Sequence, residues 1–524
     1  MTDSMIRYVG LDVHKRVVEA CIVDQAGKVV HRERFALNRP TLETFATEIL
    51  RPTDHVALEA TTNCWAVTDA LRPHVARVLV SNPMATKAIA QAKVKTDKVD
   101  AEVLAKLLRC DFLPEVWQPD EATRKLRELT GRRSALVGQR TMMRNRIHSV
   151  LAMRLVEGPS RLFNAEGLDW LATVPLDAQG RLLVDSDLRQ LEFLQNEIHS
   201  LDDELARRGQ ASAEAKLLMT LPGADVATAE AMLAAWGDAK RFPDGDHAAS
   251  YLGLVPSTKQ SAEHCYHGPI TKRGNSHARW MLIEAAQHLD KHPGPLGHFF
   301  RRLMKKKTRN VAVVAAARKL AAIGWQMLVT GEPYRYAIPR STETKLSRLR
   351  VKATGQRRKS GPAKGSKGAA KLPAGSRTIR SLPEVCQSEG LPEPRPLSPG
   401  EQRTVKQSDG EVFVAQIAAA HVVPRRTAAS PTSHAGQHAA TPQDASRKRT
   451  STVSCQRPPS APTLAPLGQA SCQSPAPVVR SVLRFRPPRA GEQGDEAPPP
   501  APPTLFSLPG EKSTAARKKS TPAS

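Results

Sequence analysis

The sequence predicts an α/β protein: a mixed sheet domain at the N-terminus, a helical coiled-coil linker, a mainly α second domain, and a disordered tail. Three observations carry this. Short apolar and alternating runs crowd residues 6–37 and recur after 54 and 76, with the period-2 signature of strands. Leu and Ile at three- and four-residue steps run through 120–155 and 183–208, the spacing of one helical face. All 6 Trp and all 5 Tyr precede residue 337, whereas 25 of the 41 Pro lie in 351–524.

In chain order, IRYVGLD is a first strand, VVEACIVD a second, and KVVHRERFAL a third after the turn QAGK. A helix follows from Thr41, a fitting N-cap, to Leu50. HVALEA is a fourth strand, NCWAVTDALRP a helix and RVLVSNP a fifth strand, an order that matches the ribonuclease H-like fold. KTDKVDAEVLAKLL forms a further helix with Val99, Val103, Leu104, Leu107 and Leu108 as its apolar stripe. These elements make a first domain over residues 5–115. The charged helices of 116–210 read as an antiparallel pair or coiled coil, with an ordinary helical linker as the plainer alternative. Residues 211–335 form the second domain, in which LLMTLPGADVATAEAMLAAWG is helix, tight Pro-Gly turn, helix. Its last helix, RNVAVVAAARKLAAIGWQMLVTG, is ended by Gly331 and Pro333. From 340 to 524 the chain is low in complexity and is expected to be disordered, with only EVFVAQIAAAHVV (411–423) able to form an isolated element.

The formal net charge is +26, with a pI near 10. Residues 351–524 carry 26 Lys+Arg against 11 Asp+Glu, so residues 1–350 keep a net charge of +11 of their own. An excess of this size implies a polyanionic partner, nucleic acid first of all. The 7 Cys are scattered with no C-x-x-C pair, which indicates neither a zinc site nor a disulfide framework and fits a reducing cytoplasm. No signal pattern opens the chain and no run of eighteen apolar residues occurs, so a soluble intracellular protein with no membrane partner is expected. There is no Gly-rich phosphate loop of the nucleotide-binding kind, and His14, His55, His148 and His267 have no ligand spacing and read as ordinary.

The candidate chemistry lies in four acids. Asp12 ends the first strand, Glu59 ends the fourth, and Asp97 and Asp100, at i and i+3, share one face of a helix start. Four converging carboxylates repel unless cations sit between them, and a pair of Mg²⁺ ions about 3.5–4 Å apart is the usual answer. Taken singly, each acid is more often a turn or cap residue, and Asp97 serves equally as an N-cap.

YVGLDVHK, ALEATTNCW, VLVSNP and KTDKVDAEVLAKLL, in that order, resemble the DEDD-type insertion-sequence transposases. The segment from LPGADVATAEAMLAAWG through GLVPSTKQS to TKRGNSHARWMLIEAA is similar to the same family's C-terminal transposase domain, so the resemblance spans roughly 5–335. It implies a RuvC-like N-terminal domain and a recombinase that cleaves and exchanges DNA strands. Asp12, Glu59, Asp97 and Asp100 are then the metal-binding acids, holding Mg²⁺ as two ions. The family's nucleophilic serine, five residues after the proline of G-L-x-P, corresponds to Ser261; by residue alone, it is a plain loop serine. Many relatives carry Gly after this serine, where this chain has Ala262. The implied partners are donor and target DNA, an element-encoded guide RNA and further copies of the chain, as dimer or tetramer. The implied location is the bacterial cytoplasm, at the nucleoid when DNA is bound.

Several groups are placed at the nucleic acid. Leu221-Pro222-Gly223 resembles a helix–hairpin–helix turn, whose N–H groups hold a phosphate, although a plain helical turn fits as well. Lys272 and Arg273 beside Gly274, with Asn275, Arg279 and the run RRLMKKKTR (301–309), extend the basic surface. Two rival readings remain: a structure-selective endonuclease using water in place of Ser261, and a non-catalytic nucleic-acid-binding remnant. The presence of all four acids speaks against the second.

Overall fold

The computed structural model describes residues 5–89, 96–261, 264–356 and 376–424. The alternating N-terminal runs become β1 (Tyr8–Val13), β2 (Val17–Val23) and β3 (Val29–Ala36), paired antiparallel in sequence. β4 (His55–Glu59) and β5 (Arg77–Ser81) add parallel to β1, for a sheet order of β3-β2-β1-β4-β5. α1 (Arg39–Thr44), α2 (Cys64–Leu71) and α3 (Pro83–Ile89) connect and follow the later strands, and α4 (Asp97–Arg109) completes the domain. The first helix starts before the expected Thr41. Asn38 is its cap, accepting the Thr41 N–H at 3.0 Å, and Pro40 fits the first turn.

One sheet face, with Val9, Leu11, Val56, Leu58 and Val80, is buried against Phe45, Val67 and Leu71. α4 covers the other face. Its buried stripe is Ala101, Leu104, Ala105 and Leu108, whereas Val99, Val103 and Leu107 are only half-buried. The small residues face inward because the helix lies almost on the strand: a Cβ on Gly10 would stand 2.0 Å from the Ala101 carbonyl oxygen.

α5 (Glu121–Ala152) and α7 (Ala178–Ala211) form an antiparallel pair, with α6 (Ala165–Thr173) at its tip. Leu126 near the start of α5 packs with Leu205 near the end of α7, and Ile147 packs with Val184 at the opposite end. Arg146 crosses to the buried Asp187 at 3.1 Å.

The second domain contains α8 (Ala213–Leu218), α9 (Val226–Trp236), α10 (Gly245–Tyr251), α11 (Ser276–Ala286), α12 (Pro295–Met304) and α13 (Arg309–Thr330). A hairpin absent from the sequence reading, β6 (Pro256–Ser261) with β7 (His264–Ile270), projects from it. α13 is long and apolar enough to cross a membrane by composition, yet Ala312, Ala316, Leu320 and Met327 are buried in the domain core with Trp236 and Phe300.

The expectation of disorder from residue 340 is corrected for 340–356 and 376–424; residues 357–375 lie outside the described residues. α14 (Pro339–Thr354), α15 (Leu382–Ser388), α16 (Pro399–Gln407) and α17 (Glu411–Ala418) follow, and β8 (Ser376–Ile379) pairs antiparallel with β9 (His421–Pro424). Leu346, Leu349, Leu382, Cys386, Val405 and Ile417 are buried in the same core as Trp236. The prolines there start helices: Ser381 with Glu384, and Ser398 with Glu401, are reciprocal capping boxes with Pro in the first turn. The segment 411–423 is thus α17 and most of β9, not an isolated element. The tail beyond 424 lies outside the described residues.

The chain passes from the sheet to the helices through a cation–aromatic cluster. The Val116 N–H donates to the Val80 carbonyl at 2.7 Å and Gln118 Nε2 to Val78 at 2.8 Å, fastening this segment to β5. Between them, the Trp117 ring lies 4.4 Å from the Arg241 guanidinium, which also covers Phe242 and Tyr251. Gly237, at φ +61°, leaves room for that ring: a Cβ there would sit 2.2 Å from it.

Candidate active site

Asp12 sits at the end of β1, and the parallel register that pairs Leu11 with Leu58 sets Glu59 in the adjoining row of β4. Thr96 caps α4, accepting from the Val99 N–H, so Asp97 is not the cap but the first helical residue. Asp97 and Asp100 both occupy the first turn, where the helix dipole favours negative charge. The close seat of α4 on Gly10 brings this turn to the Asp12 end of the sheet.

His14 joins two of the acids. Its Nε2 lies 3.2 Å from Asp12 Oδ2 and 3.3 Å from Asp97 Oδ2. Ligand atoms of Asp12, His14 and Asp97 fall within 4.8 Å of one another, a set able to hold a metal ion. Burial raises the Asp12 pKa above the ordinary carboxylate value; His14 opposes that shift, and the negative charges of Asp97 and Asp100 add to it. Asp12 is thus a carboxylate in need of a cation. Glu59 is half-buried at the strand end beside it. Sequence spacing reads His14 as ordinary; the structure sets it between Asp12 and Asp97.

Ser261 is brought to a different place. It is exposed at the end of β6, opposite His264, with Lys259 and Tyr266 as the next pair on that side. Cross-strand contact is visible at Thr258, whose hydroxyl lies 3.0 Å from His267 Nδ1. Among the described residues, no hydrogen bond or ion pair links Ser261 to Asp12, Glu59, Asp97 or Asp100. Ala262 lies outside the described residues.

The basic candidates divide into two kinds. Lys272 and Arg273 are exposed on a loop held by backbone contacts: Lys272 has φ +54°, and its N–H donates to Gly253 at 3.2 Å. A Cβ on Gly274 would sit 2.0 Å from the Tyr251 carbonyl oxygen, so only glycine admits this approach. Asn275 and Arg279 serve the frame. Asn275 Oδ1 caps α11 by accepting the Ala278 N–H at 2.9 Å, and Arg279 donates to the Leu252 and Arg273 carbonyls at 2.8 and 3.2 Å. Gly223, at φ +75°, turns the chain between α8 and α9 directly against α11, 2.2 Å from the Ala285 oxygen if it bore a Cβ. Within the 301–309 run, Lys305, Lys306 and Lys307 are exposed, while Arg301 and Arg309 bind backbone carbonyls of residues 287–292.

Comparison with known proteins places matches on both domains. Residues 9–153 match the DEDD_Tnp_IS110 family, described as a transposase, and residues 215–300 match the transposase family IS116/IS110/IS902. A probable family 20 transposase of Pseudomonas aeruginosa is 27% identical over 340 residues, which is 62% of this chain and 98% of that protein. The transposase for insertion sequence element IS1111A of Coxiella burnetii is 26% identical over 346 residues, covering 63% of this chain and 92% of its own. A pilin gene-inverting protein of Moraxella bovis is 26% identical over 345 residues, 62% and 97% of the two chains.

Proposed function

From the premise that this chain is a transposase of the IS110/IS116 family, an enzyme of DNA cleavage and strand transfer, we propose that it exchanges strands through Ser261 with the aid of Mg²⁺ held by Asp12, Glu59, Asp97 and Asp100. The observation that carries the reading is the meeting of Asp12 and Asp97 at the end of β1, with Asp100 near enough to act on Asp12 electrostatically. The strand order β3-β2-β1-β4-β5 supports a ribonuclease H-like, RuvC-like catalytic domain. Bound at these carboxylates, two Mg²⁺ ions would supply neutralising charge to the phosphate undergoing displacement.

The chain's own contribution is a nucleophile and its setting. The Ser261 hydroxyl oxygen attacks a DNA phosphorus as the bond to one DNA oxygen breaks, so the phosphodiester is kept as a phosphoserine ester. A DNA hydroxyl from the other duplex then attacks that ester and releases Ser261. Exposure of Ser261 at a hairpin tip suits approach to a duplex, and Lys272 and Arg273 lie on a loop tied to the segment that leads into β6. Ser261 makes no hydrogen bond to the acids among the described residues, and an assembly of two or four copies would let acids of one copy meet a serine of another. The name of the Moraxella relative, a gene-inverting protein, favours recombination between defined sites. Element-encoded guide RNA would supply site choice, and the cytoplasm, at the nucleoid, is where the reaction would run.

The test is sequencing of donor–target junctions after expression with the flanking non-coding DNA, for wild type, Ser261→Ala and Asp12→Asn. Junctions in wild type alone support both roles, and junctions that persist in either variant remove the role of that residue. A second reading, a RuvC-like structure-selective endonuclease using water, draws on the absence of a hydrogen bond between Ser261 and the acids among the described residues. A covalent protein–DNA adduct decides between them, because water attack leaves none. A non-catalytic remnant is disfavoured by the intact acid set.

A further inference from the structure

A cleft of about 170 Å³ opens beside the Pro222-Gly223 turn, between α11 and α14. Its walls carry Lys345, Lys291, His288, His292 and Ser341, and none of its lining residues is acidic. Lys345 is partly exposed along its stem, but its ammonium end is enclosed. Nζ donates to the Leu221 and Ala224 carbonyls at 2.7 and 2.9 Å, so two of its three protons are placed and the third is available. Asp225, the acid that acts on it, is committed as the cap of α9, accepting the Thr228 N–H at 2.8 Å and its hydroxyl at 2.9 Å. No ion pair joins Lys345 to an acid among the described residues. Burial without a counterion pushes its pKa down to about 8.

A second observation comes from His292, only 5% exposed. Its Nδ1 lies 3.1 Å from the Gly294 N–H and accepts it, so in the neutral ring Nε2 bears the proton. That Nε2 makes no well-aligned hydrogen bond, and the Tyr336 backbone is the group that acts on it as a hydrogen-bond partner. The cleft therefore holds an enclosed cation with no acid paired directly to it among the described residues, beside a buried imidazole. An enclosed charge of this kind is costly unless an opposite charge joins it.

We propose that this cleft is a phosphate site, taking one backbone phosphate of the DNA on which the enzyme acts, with Lys345 as its enclosed cation and the Pro222-Gly223 turn as its floor. The inference rests on the reading of that turn as a nucleic-acid contact and adds to it a ligand from α14, beyond the residues matched by either transposase family. Lys345 has two tasks there: its bonds to Leu221 and Ala224 hold the turn in shape, and its remaining proton meets the phosphate. Because the cation is preplaced and partly dehydrated, the phosphate contact is tighter than one from a surface lysine.

The experiment measures binding of the full chain to one DNA duplex, and to RNA of the same sequence, over a series of salt concentrations. Wild type is compared with Lys345→Met, Lys345→Arg, Ser341→Asp and Lys272→Ala. The expected result is a roughly tenfold loss of DNA affinity for Lys345→Met, a salt slope shallower by about 1, and substantial recovery in Lys345→Arg. Ser341→Asp, which sets a negative charge in the cleft one helical turn before Lys345, is expected to lose a similar amount. If Lys345→Met fails to fold, Ser341→Asp decides. Wild-type affinity and slope in a folded Lys345→Met or in Ser341→Asp overturn the proposal, and a loss confined to RNA overturns its assignment to DNA. Lys272→Ala separates the two levels: if it weakens binding while the cleft variants do not, only the cleft fails. If none of the variants weakens binding, the basic face as a whole is misassigned.

Discussion

Asp12 and Glu230 show how differently a raised carboxylate pKa can be read. Asp12 is partly exposed and acted on by Asp97 and Asp100, so a cation would relieve its strain. Added Mg²⁺ should raise the melting temperature and a chelator should reverse the rise; Asp12→Asn should abolish both responses, as followed by thermal unfolding. Glu230 is 2% exposed on α9, its Oε1 has no hydrogen-bond partner, and burial pushes its pKa up to about 7. Its contribution follows from the sign of that shift. Stability is fully present below the ordinary glutamate range and is lost as pH rises through about 7, when the buried group must ionise. Glu230→Gln should therefore stabilise the protein at pH above 8, by up to about 3 kcal/mol, and do little at pH 5. Denaturant unfolding at the two pH values measures this, and an equal effect at both would remove ionisation as the cause. At this scale, the sequence made the four acids legible because they fall at strand ends and a helix start. It did not make His14 legible as a partner, because its meaning depends on α4 lying over β1, a contact more than eighty residues distant along the chain.

Among the elements, α4 is the one on which the acidic cluster depends. Gly10→Ala would force the Ala101 and Ala105 backbone outward and carry Asp97 and Asp100 with it. The expected cost is about 1–3 kcal/mol of stability, with loss of the Mg²⁺-induced thermal shift even where the protein still folds. An unchanged thermal shift in that variant would mean that the helix start is not part of the cation site. The sheet strands are readable because β1 and β4 are short apolar runs buried on both faces, while β3 alternates. The β6–β7 hairpin is not, since PSTKQS and HCYHGPI are exposed on most positions and offer no apolar period. For the same reason, Ser261 appeared to be a loop residue. The late helices are hidden for the opposite reason: proline by composition suits disorder, yet Pro383 and Pro399 sit in the first turns of helices capped by Ser381 and Ser398.

For the whole molecule, the core does not end where the transposase matches end. Leu346, Leu349, Leu382 and Cys386 close the same apolar interior that holds Trp236 and Phe300. A chain cut after residue 335 would uncover that interior, and the expected outcome is aggregation or a melting point lower by ten degrees or more, on the order of 2 kcal/mol or greater. Equal solubility and melting of the cut chain would show that α14 to α17 are dispensable to the fold. Composition suggested otherwise because Pro, Ser and Arg are averaged over 351–524, while the buried positions are few and widely spaced.

The cluster at Trp117 bears on cooperativity. One indole is fastened through its neighbours to an edge strand of the sheet and stacked on a guanidinium that belongs to the helical domain, so neither domain can melt without stripping it. The two should unfold in a single transition, with Trp117 among the fluorophores that report it. Trp117→Ala should divide the thermogram into two steps, uncoupling the sheet that carries the acids from the domain that carries Ser261.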